Sequence, residues 1–190
     1  MPQAKKIGVD LDDVLLAIIA GLFPWHNRLY GTNNHEDDVR PFELSSSWNC
    51  TPEEAVSRVL DFYQTPEHTE CLPIPGAVDA MIALSQSHEL VIVTSKPANL
   101  ESMTRTWVEK HFPNMFQDIY FTSAFVTPEH KQVKKSELCQ ELGIDIFIDV
   151  ATICEQVFLF DRPWNREPVT LPSNITRAYS WQEIVDIIQA

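Results

Sequence analysis

A series of short apolar runs, separated by segments with helical periodicity, constrains the fold of this chain more than any other feature. The apolar runs fall at residues 7–9, 90–93, 118–122, 144–148 and 157–160. Helical patterns fall at residues 76–87, 100–111 and 134–142, and a capping box at residues 180–183 opens a last helix. Near-continuous apolar strands are typical of a parallel sheet that is covered by helices on both faces. The sequence therefore predicts a three-layer α/β fold.

Residues 15–75 interrupt this alternation directly after the first predicted strand, with helical pattern rich in aromatic and acidic residues. Within them, Thr51-Pro52-Glu53-Glu54 combines an N-cap, a proline at the first helical position and a glutamate at N3, which predicts a helix start. A chain of 190 residues with 44% apolar content suffices for one core plus a modest insertion. We predict an α/β core from residues 1–14 and 76–190 and a helical cap from residues 15–75. The cap serves either as a stability appendage or as a lid.

Charge and cysteine content exclude several classes of partner. The net charge of −13 would repel nucleic acid and anionic membranes, and lysines and arginines occur in no block longer than two. The four cysteines form no Cys-x-x-Cys motif, so we expect reduced thiols in a cytoplasmic protein. The apolar stretch 14–23 is too short to span a bilayer, and three aspartates break its likeness to a signal peptide. An anionic substrate would need a local cation, which favours a metal site.

Polar side chains follow the predicted strands at the edge of the sheet where ligands bind in open parallel sheets. The candidates are Asp10 and Asp12 after the first strand, Thr94 and Ser95 after the second, Asp149 after residues 144–148, and Lys135 at the start of the preceding helix. Taken singly, each has an ordinary structural explanation as a turn residue, a helix cap or a solvated charge. All of them lie beside strand ends, however, which makes one shared site the better interpretation.

The residue types match the needs of phosphoryl transfer through a covalent intermediate. Asp10 at the strand end is placed to act as a carboxylate nucleophile, and Asp12 could act as general acid and then as general base. The Thr94 hydroxyl and the Lys135 ammonium would balance the charge of the transferring group. Mg²⁺ prefers hard oxygen ligands, and Asp10 and Asp149 would supply two carboxylates from neighbouring strands.

The order of these motifs resembles that of the haloacid dehalogenase-like superfamily over essentially the whole chain. The four motifs are Asp10-Leu11-Asp12-Asp13-Val14, Val91-Ile92-Val93-Thr94-Ser95, Lys135, and Phe147-Ile148-Asp149. The early cap and the run Leu159-Phe160-Asp161-Arg162-Pro163-Trp164-Asn165 resemble the 5′(3′)-deoxyribonucleotidase branch and its uncharacterised microbial relatives.

The resemblance implies a Rossmann-like core and a Mg²⁺-dependent hydrolase that acts on a small phosphorylated substrate, such as a nucleoside 5′- or 3′-monophosphate. It makes Asp10 the nucleophile and Asp12 both the acid/base and, through its backbone carbonyl, a metal ligand beside Asp149. It also makes Thr94, Ser95 and Lys135 phosphate-binding residues, with Lys134 as the alternative lysine. The sequence leaves open whether the protein is a monomer or a homodimer.

The segment after Asp149 departs from the family pattern. Val150 stands where relatives of this branch usually have a second acid, so the usual metal carboxylate is absent from the sequence. Only seven residues, 150–156, precede the next predicted strand, whereas a parallel crossover normally takes about a dozen. Three alternatives follow. The chain is a compact enzyme with weakened metal binding, for which Glu155 could supply a ligand, or a catalytically impaired protein that binds phosphate or a nucleotide, or its sequence carries a deletion at this point. Transfer of the phosphoryl group to an acceptor other than water, and cleavage of a C–halogen bond, would use the same Asp10 nucleophile. Asp12 argues against dehalogenation, because that reaction has no leaving-group oxygen to protonate.

Overall fold

The computed structural model describes residues 4–38, 44–122, 134–149, 156–166 and 170–190. Within these ranges the chain forms six strands and eight helices, together with short 3₁₀ turns. The strands are β1 (Lys6–Val9), β2 (Glu89–Thr94), β3 (Ile119–Phe121), β4 (Ile146–Asp149), β5 (Val157–Phe160) and β6 (Ile175–Ala178). The helices are α1 (Ile18–Tyr30), α2 (Leu44–Trp48), α3 (Pro52–Tyr63), α4 (Pro66–Thr69), α5 (Ala77–Ser85), α6 (Glu101–His111), α7 (Lys135–Glu141) and α8 (Trp181–Gln189).

The six strands form one sheet in the order β3-β2-β1-β4-β5-β6, and every neighbouring pair is parallel. The predicted α/β fold is therefore confirmed. All residues of β4 and β5 are buried, as expected for strands that helices cover on both faces. Because the strands are parallel, their carboxyl ends meet at one edge of the sheet, and the residues that follow β1, β2 and β4 are brought together there.

Gly8 makes room for the Phe147 ring between the two central strands. It lies opposite Phe147 in the parallel register, and a Cβ at this position would come within 2.6 Å of the Phe147 ring and 2.8 Å of Ile144. The aromatic ring of β4 thus occupies the space that a side chain on β1 would need. Asp10 and Asp149 stand two residues further along the same faces, so a change in this packing would reach the two carboxylates.

The sheet differs from the prediction in several details, among them the length of β3, which covers only Ile119–Phe121 of the predicted residues 118–122. The strand predicted at residues 144–148 begins at Ile146, because Asp145 accepts a hydrogen bond from the backbone N–H of Lys6 (2.8 Å) and belongs to the preceding turn. The sequence pattern also missed β6. That strand lies at the edge of the sheet, its sequence is Ile-Thr-Arg-Ala, and only Ala178 is buried, so it lacks the apolar run that marks the central strands.

Helices α1 to α4 all lie within residues 15–75, the segment proposed as a cap. The start of α3 has the predicted capping box: Glu54 N–H donates to Thr51 Oγ1 (3.2 Å), and Thr51 N–H donates to the Glu54 carboxylate (3.0 Å). The two ends of the segment run side by side at its base, where Ala17 N–H donates to the Leu72 carbonyl (3.0 Å). In the described ranges, no helix has the length and apolarity needed to cross a membrane.

Candidate active site

One buried lysine joins the two carboxylates at the ends of the central strands. Asp10 follows β1 directly, Asp149 is the last residue of β4, and Lys135 is the first residue of α7. Lys135 Nζ lies 2.8 Å from Asp10 Oδ1 and 3.1 Å from Asp149 Oδ2. The three side chains are each less than one tenth exposed. The Asp10 backbone N–H also donates to the Ile148 carbonyl (2.9 Å), which anchors Asp10 against β4.

The charges of this cluster do not balance. The pKa of Asp10 is raised to about 7, because burial outweighs the opposing charge of Lys135 and the charge of Asp149 adds to the effect of burial. Burial alone would lower the pKa of Lys135, but attraction to the two carboxylates raises it above its ordinary value. The lysine is therefore a fixed cation between two acids, and one further cation would be bound favourably.

Asp12 makes a separate set of contacts on the other side of the turn. Its Oδ1 lies 2.9 Å from Lys96 Nζ, and its Oδ2 accepts a hydrogen bond from the Tyr63 hydroxyl (3.2 Å). Burial, and then the charge of Asp12, hold the pKa of Tyr63 well above its usual range, so the hydroxyl keeps its proton and remains a donor. Sequence reasoning missed Lys96, although its position two residues after Thr94 could have indicated it.

Asp13 shapes the turn between these two sets of contacts. It has a positive φ of 57°, and its Oδ1 accepts a hydrogen bond from the Ile19 backbone N–H (3.2 Å) at the start of α1. Its carbonyl oxygen accepts two hydrogen bonds from Arg162, at 3.0 and 2.7 Å. Arg162 belongs to the run 159–165 that carries the likeness to the deoxyribonucleotidase branch, so this motif supports the turn on which Asp12 stands.

Thr94 and Ser95 lie at the carboxyl end of β2, where the sequence predicts phosphate-binding residues. Thr94 Oγ1 accepts a hydrogen bond from Lys96 N–H (3.2 Å), while the Thr94 carbonyl accepts one from Thr122 N–H (2.9 Å). Both residues line the same cavity as Asp10 and Asp12. The structure thus brings these predicted site residues to one place.

The two candidate lysines lie in different environments. Lys134 is 76% exposed and pairs with Glu137 at 3.7 Å, whereas Lys135 contacts the two buried carboxylates. The geometry therefore favours Lys135 as the lysine of the site. Val150 and Glu155, on which the alternatives for the metal site depend, lie outside the described residues.

A cavity of about 400 Å³ lies between the strand ends and helices α1, α2 and α3. Its polar floor includes Asp10, Asp12, Asp13, Thr94 and Ser95. Its wall is largely apolar and includes Ile18, Ile19, Leu22, Leu44, Val56, Val59 and Trp164. A volume of this size accommodates a small organic ligand.

The aromatic residues of helices α1 to α3 serve mainly to pack these helices together. Of Trp25, Tyr30, Trp48, Phe62 and Tyr63, only Tyr63 lines the cavity. The Trp25 and Phe62 rings pack against each other at 5.5 Å, and Tyr30 and Trp48 stack on the two faces of the buried His26 ring. Stacking of these residues on a nucleobase, considered from the sequence, is therefore confined to Tyr63.

The carboxylates suit magnesium better than a metal that is held entirely by protein. Among the described residues, no three histidine, cysteine, aspartate or glutamate side chains are grouped so as to hold a metal ion. Mg²⁺ commonly takes one or two carboxylates and completes its octahedron with water and substrate oxygens. Asp10 and Asp149, which share one ammonium at 2.8 and 3.1 Å, offer such a pair.

The parallel sheet has an acid after its first strand, an acid at the end of its fourth, a hydroxyl at the end of its second and a lysine between the acids, which is the arrangement of a haloacid dehalogenase-like phosphatase. Over residues 4–190, the sequence matches the profile of the family described as 5′ nucleotidase, deoxy (pyrimidine), cytosolic type C protein. The chain belongs to this family and is a hydrolase of the phosphatase and nucleotidase kind.

Individual relatives with low sequence identity agree with this assignment. The chain is 24% identical to a candidate nucleotidase from Halalkalibacterium halodurans, and the alignment covers 95% of this chain and 91% of the relative. Its fold is similar to that of a haloacid dehalogenase-like hydrolase from Streptococcus pneumoniae, with a TM-score of 0.67, 19% identity and full coverage of both chains. It is also similar to a hydrolase of the same superfamily from Bacillus subtilis, solved with bound magnesium, with a TM-score of 0.59 and 14% identity over 99% of this chain and 100% of the other.

Proposed function

We propose that the protein is a Mg²⁺-dependent phosphomonoesterase that works through an aspartyl-phosphate on Asp10. The observation that carries the proposal is the buried cluster of Asp10, Lys135 and Asp149, in which one ammonium contacts both carboxylates. The cluster lies at the strand ends, and Asp10 faces the cavity beneath the cap helices. A nucleophile in this position meets the phosphoryl group of a substrate whose leaving group fills the cavity.

In the first half of the reaction, a carboxylate oxygen of Asp10 attacks phosphorus. A new bond forms between Asp10 and phosphorus, and the ester P–O bond breaks. Asp12 takes up a proton from solvent as the negatively charged phosphoryl group binds beside it, and it transfers that proton to the departing oxygen. The Thr94 and Ser95 hydroxyls and the Lys135 ammonium bind the phosphoryl oxygens and balance their charge. The nucleophile and the acid/base must be separate carboxylates. Lys96 and Tyr63 contact the Asp12 carboxylate and hold it away from the cluster of Asp10, Lys135 and Asp149.

In the second half, Asp12 takes a proton from water as the water oxygen attacks phosphorus. The bond between phosphorus and Asp10 breaks, inorganic phosphate leaves, and the Asp10 carboxylate is regenerated. The apolar wall of the cavity, with Ile19 and Val59 among its residues, limits the access of water until the leaving group departs.

Asp10, Asp149 and the backbone carbonyl of Asp12 would hold the magnesium ion. When bound, the ion neutralises charge on the phosphoryl oxygens and on the two carboxylates. The raised pKa of Asp10, which burial and Asp149 cause, supports this assignment because a cation would favour the charged nucleophile. The magnesium in the related Bacillus subtilis hydrolase gives further support.

For the substrate we propose a nucleoside 5′- or 3′-monophosphate. The family profile and the Halalkalibacterium relative both carry nucleotidase names. The cavity of about 400 Å³ beside the acids gives the nucleoside a place to bind. Hydrolysis of a panel of nucleoside monophosphates and sugar phosphates tests this part, and acceptance of sugar phosphates alone would refute it.

The covalent step is tested with Asp10→Asn, which removes the nucleophile but preserves the size of the side chain. We expect the loss of turnover to exceed about 10³-fold, because the residual rate then depends on binding and charge stabilisation alone. Acid quenching of the wild type during turnover of labelled substrate should trap a phosphoprotein, and the variant should show none. Asp79→Asn, an exposed acid at the start of α5, is the matched control. Equal activity of Asp10→Asn and the wild type across millimolar Mg²⁺ would contradict the mechanism.

The same assay separates the second candidate function, a catalytically impaired protein that binds phosphate or a nucleotide. Val150 and the seven residues between Asp149 and β5 favour it, because they remove the second acid and shorten the crossover. Calorimetry would then detect nucleotide binding while no inorganic phosphate appears at any Mg²⁺ concentration.

A further inference from the structure

A second buried lysine, Lys96, contacts Asp12. The Lys96 side chain is 1% exposed, and its ammonium lies 2.9 Å from Asp12 Oδ1. A buried ammonium is costly unless its charge is matched, so the groups around it indicate its role. Lys135 occupies the corresponding position beside Asp10 and Asp149. Lys96 thus pairs with Asp12, whereas Lys135 pairs with Asp10 and Asp149.

Two groups from the helices above the sheet complete the surroundings of Lys96. Its ammonium lies 3.3 Å from His68 Nε2 and 4.0 Å from the centre of the Tyr63 ring. Burial, and then the charge of Lys96, lower the pKa of His68 to about 4, so the ring is neutral at pH 7 and its Nε2 accepts the hydrogen bond. The ring of Tyr63 presents its negative face to the cation. Asp12 is therefore the group that matches the charge of Lys96.

Tyr63 contacts both members of this ion pair. Its ring lies over Lys96, while its hydroxyl donates to Asp12 Oδ2 at 3.2 Å. One carboxylate oxygen of Asp12 accepts a hydrogen bond from the end of α3, and the other forms an ion pair with the loop after β2, without hydrogen-bond geometry. The hydrogen bond and the ion pair together favour one orientation of the carboxylate, and the position of α3 contributes to it.

We infer that Lys96 and Tyr63 are positioning residues that orient Asp12 toward the leaving-group oxygen, and that His68 holds Lys96 in place. The inference rests on the proposed function, because it takes Asp12 as the acid that protonates that oxygen. It gives a role to the buried charge of Lys96, which is not among the phosphate-binding residues. It also makes the helices of the proposed cap part of the catalytic arrangement, since Tyr63 and His68 belong to α3 and α4.

The test compares two classes of substrate in Lys96→Met. An alkyl phosphate needs protonation of its leaving oxygen, whereas 4-nitrophenyl phosphate releases a stable phenolate and needs little help. If Lys96 acts through the general acid, Lys96→Met should therefore lower kcat/KM for the alkyl phosphate by about 10²-fold and lower kcat/KM for 4-nitrophenyl phosphate much less. Lys96→Arg keeps the charge and should restore part of the alkyl activity. Lys110→Met, in an exposed lysine of α6, is the matched control.

Equal losses of kcat/KM on both substrates would overturn the inference, because a merely structural role for Lys96 affects both reactions alike. An inactive wild type would instead overturn the proposed function, and the inference with it. If Lys96→Met does not fold, as judged by circular dichroism, Tyr63→Phe replaces it. That variant keeps the ring over Lys96 and removes only the hydroxyl that contacts Asp12. A selective loss on the alkyl phosphate, on the order of tenfold, is then expected, and an unselective one contradicts the inference.

Discussion

The residue with the largest effect on the candidate site is Lys135. It is the cation between two buried carboxylates, and its loss leaves Asp10 and Asp149 close together with no ammonium between them. We expect Lys135→Met to lower the free energy of unfolding by about 3 kcal/mol at pH 8 in metal-free buffer, because an uncompensated buried charge is costly. Urea unfolding measures this directly.

Two variants separate this effect from general damage. Lys134→Met removes the neighbouring lysine, which is 76% exposed, and should change stability by less than about 0.5 kcal/mol. Adding Asp10→Asn to Lys135→Met removes one of the two like charges and should recover much of the lost stability. A Lys135→Met protein as stable as the wild type under these conditions would show that the two carboxylates do not depend on the lysine.

The sequence could predict residues whose position relative to a strand end is informative. Asp10, Thr94, Lys135 and Asp149 all stand where parallel strands bring them together, so one topological rule finds all four. Lys96 stands in an equally informative place but was missed. Its partners Tyr63 and His68 come from a different helical segment, and no periodicity in the sequence links that segment to the loop after β2.

At the scale of elements, the packing of β1 against β4 affects the relative position of the Asp10 and Asp149 carboxylates. Gly8→Ala would place a Cβ within 2.6 Å of the Phe147 ring in a pair of buried strands. We expect a loss of about 2 kcal/mol in the free energy of unfolding, because overpacking a core displaces side chains and backbone. Turnover should fall as well, since Asp10 and Asp149 lie two residues beyond this contact on the same strand faces.

A double-mutant cycle tests the cause of that loss. Phe147→Leu removes the ring atoms that the new Cβ would meet, so the double variant should be more stable than the sum of the two single changes predicts. If the two single changes in unfolding free energy simply add in the double variant, the contact between the new Cβ and the Phe147 ring is not the cause of the loss.

The elements that the sequence predicted well are those with one dominant signal. The central strands have uninterrupted apolar runs, and the start of α3 has a complete capping box. The start of α8 is a partial case: Ser180 accepts the hydrogen bond from Glu183 N–H, but the Glu183 carboxylate bonds to Tyr179 N–H. The edge strand β6 has neither signal, because its pairing with β5 depends on the position of the whole sheet and not on its own side chains.

At the scale of the whole molecule, buried histidines and buried aspartates oppose each other in the dependence of stability on pH. Burial lowers the pKa of both His26 and His68 to about 4, and raises that of Asp10 to about 7 and that of Asp13 to about 8. As the pH falls below 6.5, the unfolded chain takes up protons on these histidines that the folded state refuses, which lowers stability. As the pH rises, the folded state must give up protons that the unfolded aspartates lost near pH 3.8, which also lowers stability.

Above pH 6.5 the unfolded histidines give up their remaining protons, which is the smaller effect, and the loss of protons from the folded aspartates dominates. We therefore expect the metal-free protein to lose on the order of 2 kcal/mol of unfolding free energy between about pH 6.5 and 8.5. Asp13→Asn should remove most of this decline, because an asparagine tolerates the positive φ and still accepts the hydrogen bond from Ile19 N–H. Urea unfolding in chelator across this range is the measurement, with Asp79→Asn as a control that keeps the wild-type slope. A wild-type stability that stays level to pH 8.5 would mean that Asp13 is already charged at neutral pH, and that Arg162 at its carbonyl and the turn after β1 tolerate that charge at little cost.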